Sequence, residues 1–242
     1  MIEVMKLSKG FKKVQAVDQI SFKVQDGEIL GLLGENGAGK TTTLRMLATM
    51  LKPTGGTAKI NGHDIIEEPS KVRGNIGILF GGEVGLYDRL SGKENIRYFA
   101  QLNGMSKEEA DKNIDKLSST LGMEEYITRR VGKFSRGMKQ KVAIARSIVH
   151  NPSVMLFDEP TAGLDVTAAR IVQDFILQCK SEGKAIIFSS HSMAEVEKLC
   201  DRIVIIHKGK IVAEGTTEQL KHTYSNDNLE EIFMQLVGDK NE

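Results

Sequence analysis

The chain has 242 residues, 40% of them hydrophobic and 27% charged, a length and balance that allow a substantial buried core. Its 33 basic and 32 acidic residues leave a net charge of +1, which gives no overall footprint for nucleic acid or anionic lipid. The two cysteines, Cys179 and Cys200, are too few for a disulfide framework and read as reduced core thiols. Apolar runs such as residues 154–157 and 185–188 fall far short of the ~20 residues that span a bilayer. Met1 opens no basic-then-apolar signal segment. The expectation is an intracellular chain that meets a membrane only through a partner.

In chain order, Ile20, Phe22 and Val24 alternate with Ser21, Lys23 and Gln25, as a half-buried strand does. Asp26-Gly27 turns the chain into the apolar run 28–33, a buried strand. Leu44, Leu47, Ala48 and Leu51 then recur at helical spacing, with Pro53 and Gly55-Gly56 as the stop. Asn61-Gly62 is a hairpin signal. Residues 77–80 read as a strand, and from about 91 to 150 only helices are predicted. Ser91 with Glu94 and Ser106 with Glu109 form two capping boxes. Ala110, Ile114, Leu117 and Leu121 make one apolar stripe, and Met138, Val142, Ala145 and Val149 another. Strands return at 154–157, 185–189 and 203–206, with a helix bearing Ala168, Val172, Phe175, Ile176 and Cys179 between the first two. Such alternation implies a parallel sheet with helices on both sides. A last amphipathic helix carries Leu229, Ile232, Phe233, Leu236 and Val237, with its docking site left open.

The strongest chemical signal is Gly34-Glu35-Asn36-Gly37-Ala38-Gly39-Lys40-Thr41, followed by Thr42. It is a complete phosphate loop between a buried strand and an amphipathic helix. Its glycines let backbone N–H groups wrap phosphates at a helix N-terminus. Lys40 is expected to reach the β and γ phosphates of ATP, and the Thr41 hydroxyl to ligate Mg²⁺. Asp158-Glu159 follows an apolar strand: Asp158 suits a Mg²⁺ contact, through water, and Glu159 the general base for an attacking water.

With these motifs in place, residues 3 to about 215 resemble an ABC ATPase. The resemblance implies a RecA-like P-loop NTPase core, an N-terminal antiparallel β subdomain and an inserted α-helical subdomain at about 83–150. The ATPase domain would run over 1–221, with 222–242 as a tail. It also implies that Phe11 stacks on adenine with Val17 beneath it. Phe134-Ser135-Arg136-Gly137-Met138 matches the signature motif, with Arg136 and Met138 departing from the usual Leu-Ser-Gly-Gly-Gln. In the family this motif meets ATP held by a second cassette, so a dimer, most simply a homodimer, is implied. Asp165 resembles part of the family's D-loop, and His191 resembles its switch histidine, which implies that it senses the γ-phosphate.

One family residue is missing. Gly81-Gly82-Glu83 stands where the family carries a glutamine that touches Mg²⁺ and the attacking water. Residues 85–90 resemble the surface that receives a helix of the membrane subunit, with Leu86 and Tyr87 either its anchors or packing for the helical block. The variant signature is similar to ABC-2 type cassettes of the sodium- or drug-efflux kind. The implied partners are a transmembrane permease subunit and a second cassette, with no nucleic acid. The implied location is cytoplasmic, peripheral at the inner face of the cell membrane. The rival is a soluble ABC ATPase. One phosphate loop argues against the two-cassette translation factors, and the lack of heptads against DNA-repair members, which leaves iron–sulfur assembly. A nucleotide kinase would not need Ser135, Asp165 or His191.

Overall fold

The computed structural model describes residues 1–80 and 85–238. Strands β1 (Ile2–Phe11) and β2 (Val14–Val24) form an antiparallel hairpin. Register shifts in β1 add local twist where it meets its neighbours. After the short strand β3 (Ile29–Leu33) and helix α1 (Lys40–Leu47), strand β4 (Gly55–Ile60) returns to pair with β1. Asn61 and Gly62, at φ +50° and +82°, turn it into β5 (His63–Asp64). That is the double positive φ a tight hairpin requires. The resulting sheet has the order β2-β1-β4-β5.

Helix α2 (Pro69–Asn75) leads to β6 (Ile76–Leu79). Helices α3 (Gly92–Leu102), α4 (Lys107–Thr120) and α5 (Arg136–Ile148) then intervene before β7 (Val154–Asp158), which pairs with β6 in parallel. The three helices thus fill one crossover between adjacent strands. Both predicted capping boxes form, on Ser91 and Ser106. Helix α6 (Val166–Ser181), β8 (Ala185–Ser189), α7 (Met193–Leu199) and β9 (Arg202–His207) complete the parallel set. Strand β10 (Lys210–Gly215) closes the edge antiparallel, giving the order β10-β9-β3-β8-β7-β6.

Alternation along these strands sorts the core into two layers. Ile29, Leu33, Met155, Phe157, Ile186, Phe188, Ile203 and Ile205 face the helical side, packed against α3 to α7. Leu30, Leu32, Val154, Leu156, Ile187, Val204 and Ile206 face α1 and the antiparallel sheet. The second face is therefore covered partly by strands rather than by helices alone, because β1, β2 and β4 present Ile2, Val4, Leu7, Ile20, Phe22 and Ala58 to it.

Helix α1 stops five residues before Pro53. Ala48 is its C-cap, and Thr49 takes φ +59°, so a left-handed residue ends the helix. Helix α8 (Thr217–Thr223) and helix α9 (Leu229–Val237) pack on the same chain: Leu220, Leu229 and Val237 join its core, and Ile232 is buried. Both cysteines are free, and burial pushes each thiol up to about 12. Among the described residues no helix is long and apolar enough to cross a membrane.

Candidate nucleotide site

The loop after β3 is shaped by backbone close to backbone. A Cβ on Gly34 would lie 2.4 Å from the Ile206 carbonyl oxygen, and one on Gly39, at φ +114°, 2.5 Å from that of Ala16. Only glycine fits either place. Gly39 also serves as N-cap of α1 with no side-chain cap, so the first N–H groups of that helix are offered to a ligand. Glu35, Asn36 and Gly37 are exposed, Ala38 is buried, and Thr42 is half-buried. The loop is pinned from behind, since the Gly209 N–H donates to the Ala38 carbonyl at 3.0 Å.

Lys40 is only 5% exposed, and its ammonium donates to the carbonyls of Gly34 (2.6 Å) and Glu35 (3.1 Å). Desolvation lowers its pKa, opposed by the nearby charges of Glu159, Asp158 and Glu35. The Thr41 hydroxyl donates to Asp158 Oδ2 at 2.7 Å, and Ser189 Oγ to Asp158 Oδ1 at 2.6 Å. Among the described residues there is no group of three or more His, Cys, Asp or Glu side chains able to hold a metal. A Mg²⁺ here would take Thr41 and Asp158 as protein oxygens, with phosphate and water supplying the rest, as that hard, well-hydrated ion prefers. The residues present fit both ATP phosphates and Mg²⁺.

Glu159 follows β7 in the left-handed region at φ +50°, a conformation that costs a non-glycine residue about 1–3 kcal/mol. Its N–H is held by the Ser189 carbonyl (3.1 Å) and hydroxyl (3.2 Å). The same turn points its carboxylate at His191, whose Nε2 lies 2.5 Å from Glu159 Oε1. Ser189 thus steadies both acids. Sequence reasoning missed it, although a serine ending an otherwise apolar strand beside Asp158-Glu159 was a readable signal.

The signature segment lies at the start of α5. Ser135 caps the helix by accepting from the Met138 N–H at 3.3 Å. Arg136 donates to the Ala162 carbonyl at 3.1 Å, and its guanidinium fills the space beside Gly163 where a Cβ would sit. Gln140, also unread in the sequence, is buried and donates to the Pro160 carbonyl at 2.7 Å. Gly137 packs near Ala168, and Asp165 caps α6 by accepting from the Ala168 N–H at 2.8 Å. Lys139 bonds Asp88 at 3.0 Å, and among the described residues no hydrogen bond joins this turn to the phosphate loop of the same chain.

Over residues 17–162 the sequence matches the family model described as ABC transporter, more than half of the chain. The chain belongs to the ABC transporter family. The cassette is 48% identical over 238 residues to the ABC transporter ATP-binding protein NatA of Bacillus subtilis, with 97% of each chain covered. It is 41% identical over 213 residues to the doxorubicin resistance ATP-binding protein DrrA of Mycobacterium tuberculosis, covering 88% of this chain and 64% of that one. A solved ATP-binding subunit of an ABC transporter superposes with TM-score 0.90 at 30% identity, covering 98% and 99% of the two chains. A dimeric bacterial ABC transporter cassette gives 0.81 at 25% identity, covering 89% and 98%. The cassette is an ATP-binding, ATP-hydrolysing subunit.

Phe11, 46% exposed at the tip of the β1–β2 hairpin, pairs with Val14 and has the Lys9 ammonium 5.2 Å from its ring centre. Val17 is fully buried, with its Cγ2 at 3.3 Å from the place of a Gly39 Cβ. Gly81, Gly82 and Glu83, the stretch that lacks the family glutamine, lie outside the described residues. Leu86 packs into the helical core, whereas Tyr87 stays half exposed, edge-on to Tyr98 at 5.6 Å.

Proposed function

We propose that two copies of this cassette close around two ATP molecules and thereby drive a separate membrane permease subunit. Each ATP would lie on one copy's phosphate loop, with Phe11 and Val17 at the adenine, Lys40 at the phosphates, and Thr41 and Asp158 holding Mg²⁺. Residues 135–138 and Asp165 of the other copy would cover it. The observation that carries this reading is the separation of the two phosphate-facing helix ends. Lys40, Asp158, Glu159 and His191 share one set of contacts, while Ser135 opens a different helix whose first turn bonds Asp88 and the loop after Glu159.

In the mechanism, Glu159 takes a proton from the attacking water, and His191, bonded to Glu159, aims that carboxylate. Lys40 gains from a phosphate that replaces the two carbonyls it now satisfies. Mg²⁺, when bound, neutralises charge on the transferred phosphoryl group. Residues 1–221 would act as the ATPase unit, with 222–242 as a tail whose helix α9 packs on it. Relatives named for transport and for doxorubicin resistance support transport over iron–sulfur assembly, and the direction read from the variant signature is export, with a sodium ion or drug-like molecule as cargo. The cassette would lie at the inner face of the cell membrane, held there by its permease.

Glu159→Gln keeps the shape and removes the base. Turnover should fall at least about 100-fold, while ATP binding persists and a stable ATP-bound dimer accumulates in sedimentation. A variant that stays monomeric at saturating ATP and Mg²⁺ would overturn the sandwich.

A further inference from the structure

The segment between Glu159 and Asp165 is gripped from two sides. From α5, Gln140 and Arg136 donate to the carbonyls of Pro160 and Ala162. From α7, the Glu195 carboxylate accepts from three neutral donors: Thr161 Oγ1 at 3.0 Å, Ser190 Oγ at 2.7 Å and Gln173 Nε2 at 2.9 Å. Ser190 Oγ accepts in turn from the Ser192 N–H at 3.0 Å, and Lys198 donates to Gln173 Oε1 at 2.7 Å. Thr161 stands two residues after Glu159, and Ser190 stands next to His191. A single carboxylate therefore ties together the two loops whose side chains meet at 2.5 Å in the His191–Glu159 pair. It lines the same groove of about 730 Å³ as that pair.

We propose that Glu195 is a positioning residue for ATP hydrolysis, acting through Thr161 and Ser190 to hold Glu159 and His191 in register. The inference rests on the reading of Glu159 as general base. The chemistry demands such a tie. A base acts only within hydrogen-bond reach of the proton it removes, and small misplacements of a catalytic group cost large factors in rate. Glu159 and His191 both sit on loops beyond strand ends, where the sheet alone does not fix side-chain direction.

A glutamate that merely stabilised α7 would affect melting and leave the kinetics of the folded protein untouched. The test uses the full chain, with steady-state turnover, binding of a fluorescent ATP analogue and thermal melting on each variant. Glu195→Ala should lower kcat by about tenfold or more while KM and nucleotide affinity stay within about twofold. Glu195→Gln should recover to within about threefold of the parent. Its amide oxygen still accepts from Gln173, and its NH₂ donates to the Thr161 and Ser190 hydroxyls, which also accept. Thr161→Val should lose part of the rate, and less than additively with Glu195→Ala.

A kcat for Glu195→Ala within about twofold of the parent overturns the proposal. So does a loss shared equally by Glu195→Gln, or one matched by lost nucleotide affinity. If Glu195→Ala does not fold, Thr161→Val and Ser190→Ala decide by the same criteria. Glu159→Gln is measured in parallel: retained turnover there defeats the base assignment itself, whereas its loss beside an unaffected Glu195→Ala defeats only the positioning role.

Discussion

The N-terminus of α1 is walled in and uncapped, whereas that of α5 is capped and exposed. At α1, Gly34 and Gly39 allow no side chain, and Lys40 is sealed beneath the loop. At α5, Ser135 satisfies the helix end itself, and Arg136 folds away onto Ala162 and Gly163. Neither helix carries an acid in its first turn, whereas α3 and α4 do, so both ends keep the dipole's attraction for anions. The difference is between a helix end enclosed by its own chain's glycines and Lys40 and one left exposed with its cap on the surface. That is the asymmetry a two-copy sandwich needs.

The comparison breaks first at Lys40. Lys40→Met should weaken ATP binding by roughly 10–100-fold, the worth of a buried charge-assisted hydrogen bond, by titration calorimetry. Undiminished binding would empty the cradle of its meaning. The same variant should melt higher at neutral pH. Desolvation lowers the Lys40 pKa in the folded state, so the unfolded chain binds that proton more tightly and the charge costs stability below the folded value. The gain should fade as pH rises through that lowered value towards 10.5.

Ser135→Ala sharpens the contrast from the other side. It removes an N-cap worth about 1 kcal/mol, and ATP affinity of the single subunit should not change. ATP-driven dimerisation in the Glu159→Gln background should weaken about tenfold if the cap contacts the partner's nucleotide. A loss of ATP affinity in the monomer would show that α5 belongs to the cradle after all. The smallest effect is expected at Phe11, where stacking is worth about 0.5–1.5 kcal/mol. Phe11→Ala should weaken ATP binding some threefold to tenfold and leave inorganic tripolyphosphate binding unchanged, since only the base meets the ring.

Local rules made much of this legible in advance. The phosphate loop, both capping boxes, the Asn61-Gly62 hairpin and the buried strands β3, β7 and β8 depend on residues within a few positions of one another. Other features depend on distant partners. Helix α2 buries only Val72 and has no apolar stripe to read. Strand β10 is half exposed and follows a Lys208-Gly209 turn, at φ +47° and +81°, in which only the glycine favours that conformation. In the site, the loop residues were plain, but Gln140 and Glu195 look in sequence like ordinary polar helix positions. Their roles come from carbonyls and hydroxyls in the loop after Glu159 and, for Glu195, from Ser190 and Gln173 as well. No spacing rule records that.

The frame of the phosphate loop also has a place in time. Strand β3 lies between β8 and β9, Asp201 bonds the Ile29 backbone across 172 positions of sequence, and Gly209 pins Ala38. A ribosome delivers residues 34–41 early but needs roughly 10–30 seconds more, at about 5–20 residues per second, to deliver their supports. Until then the nascent chain displays the whole motif without the frame that shapes it. A chain cut before residue 209 is therefore expected to lose ATP binding, and retained binding by such a truncation would show that the loop needs none of these supports.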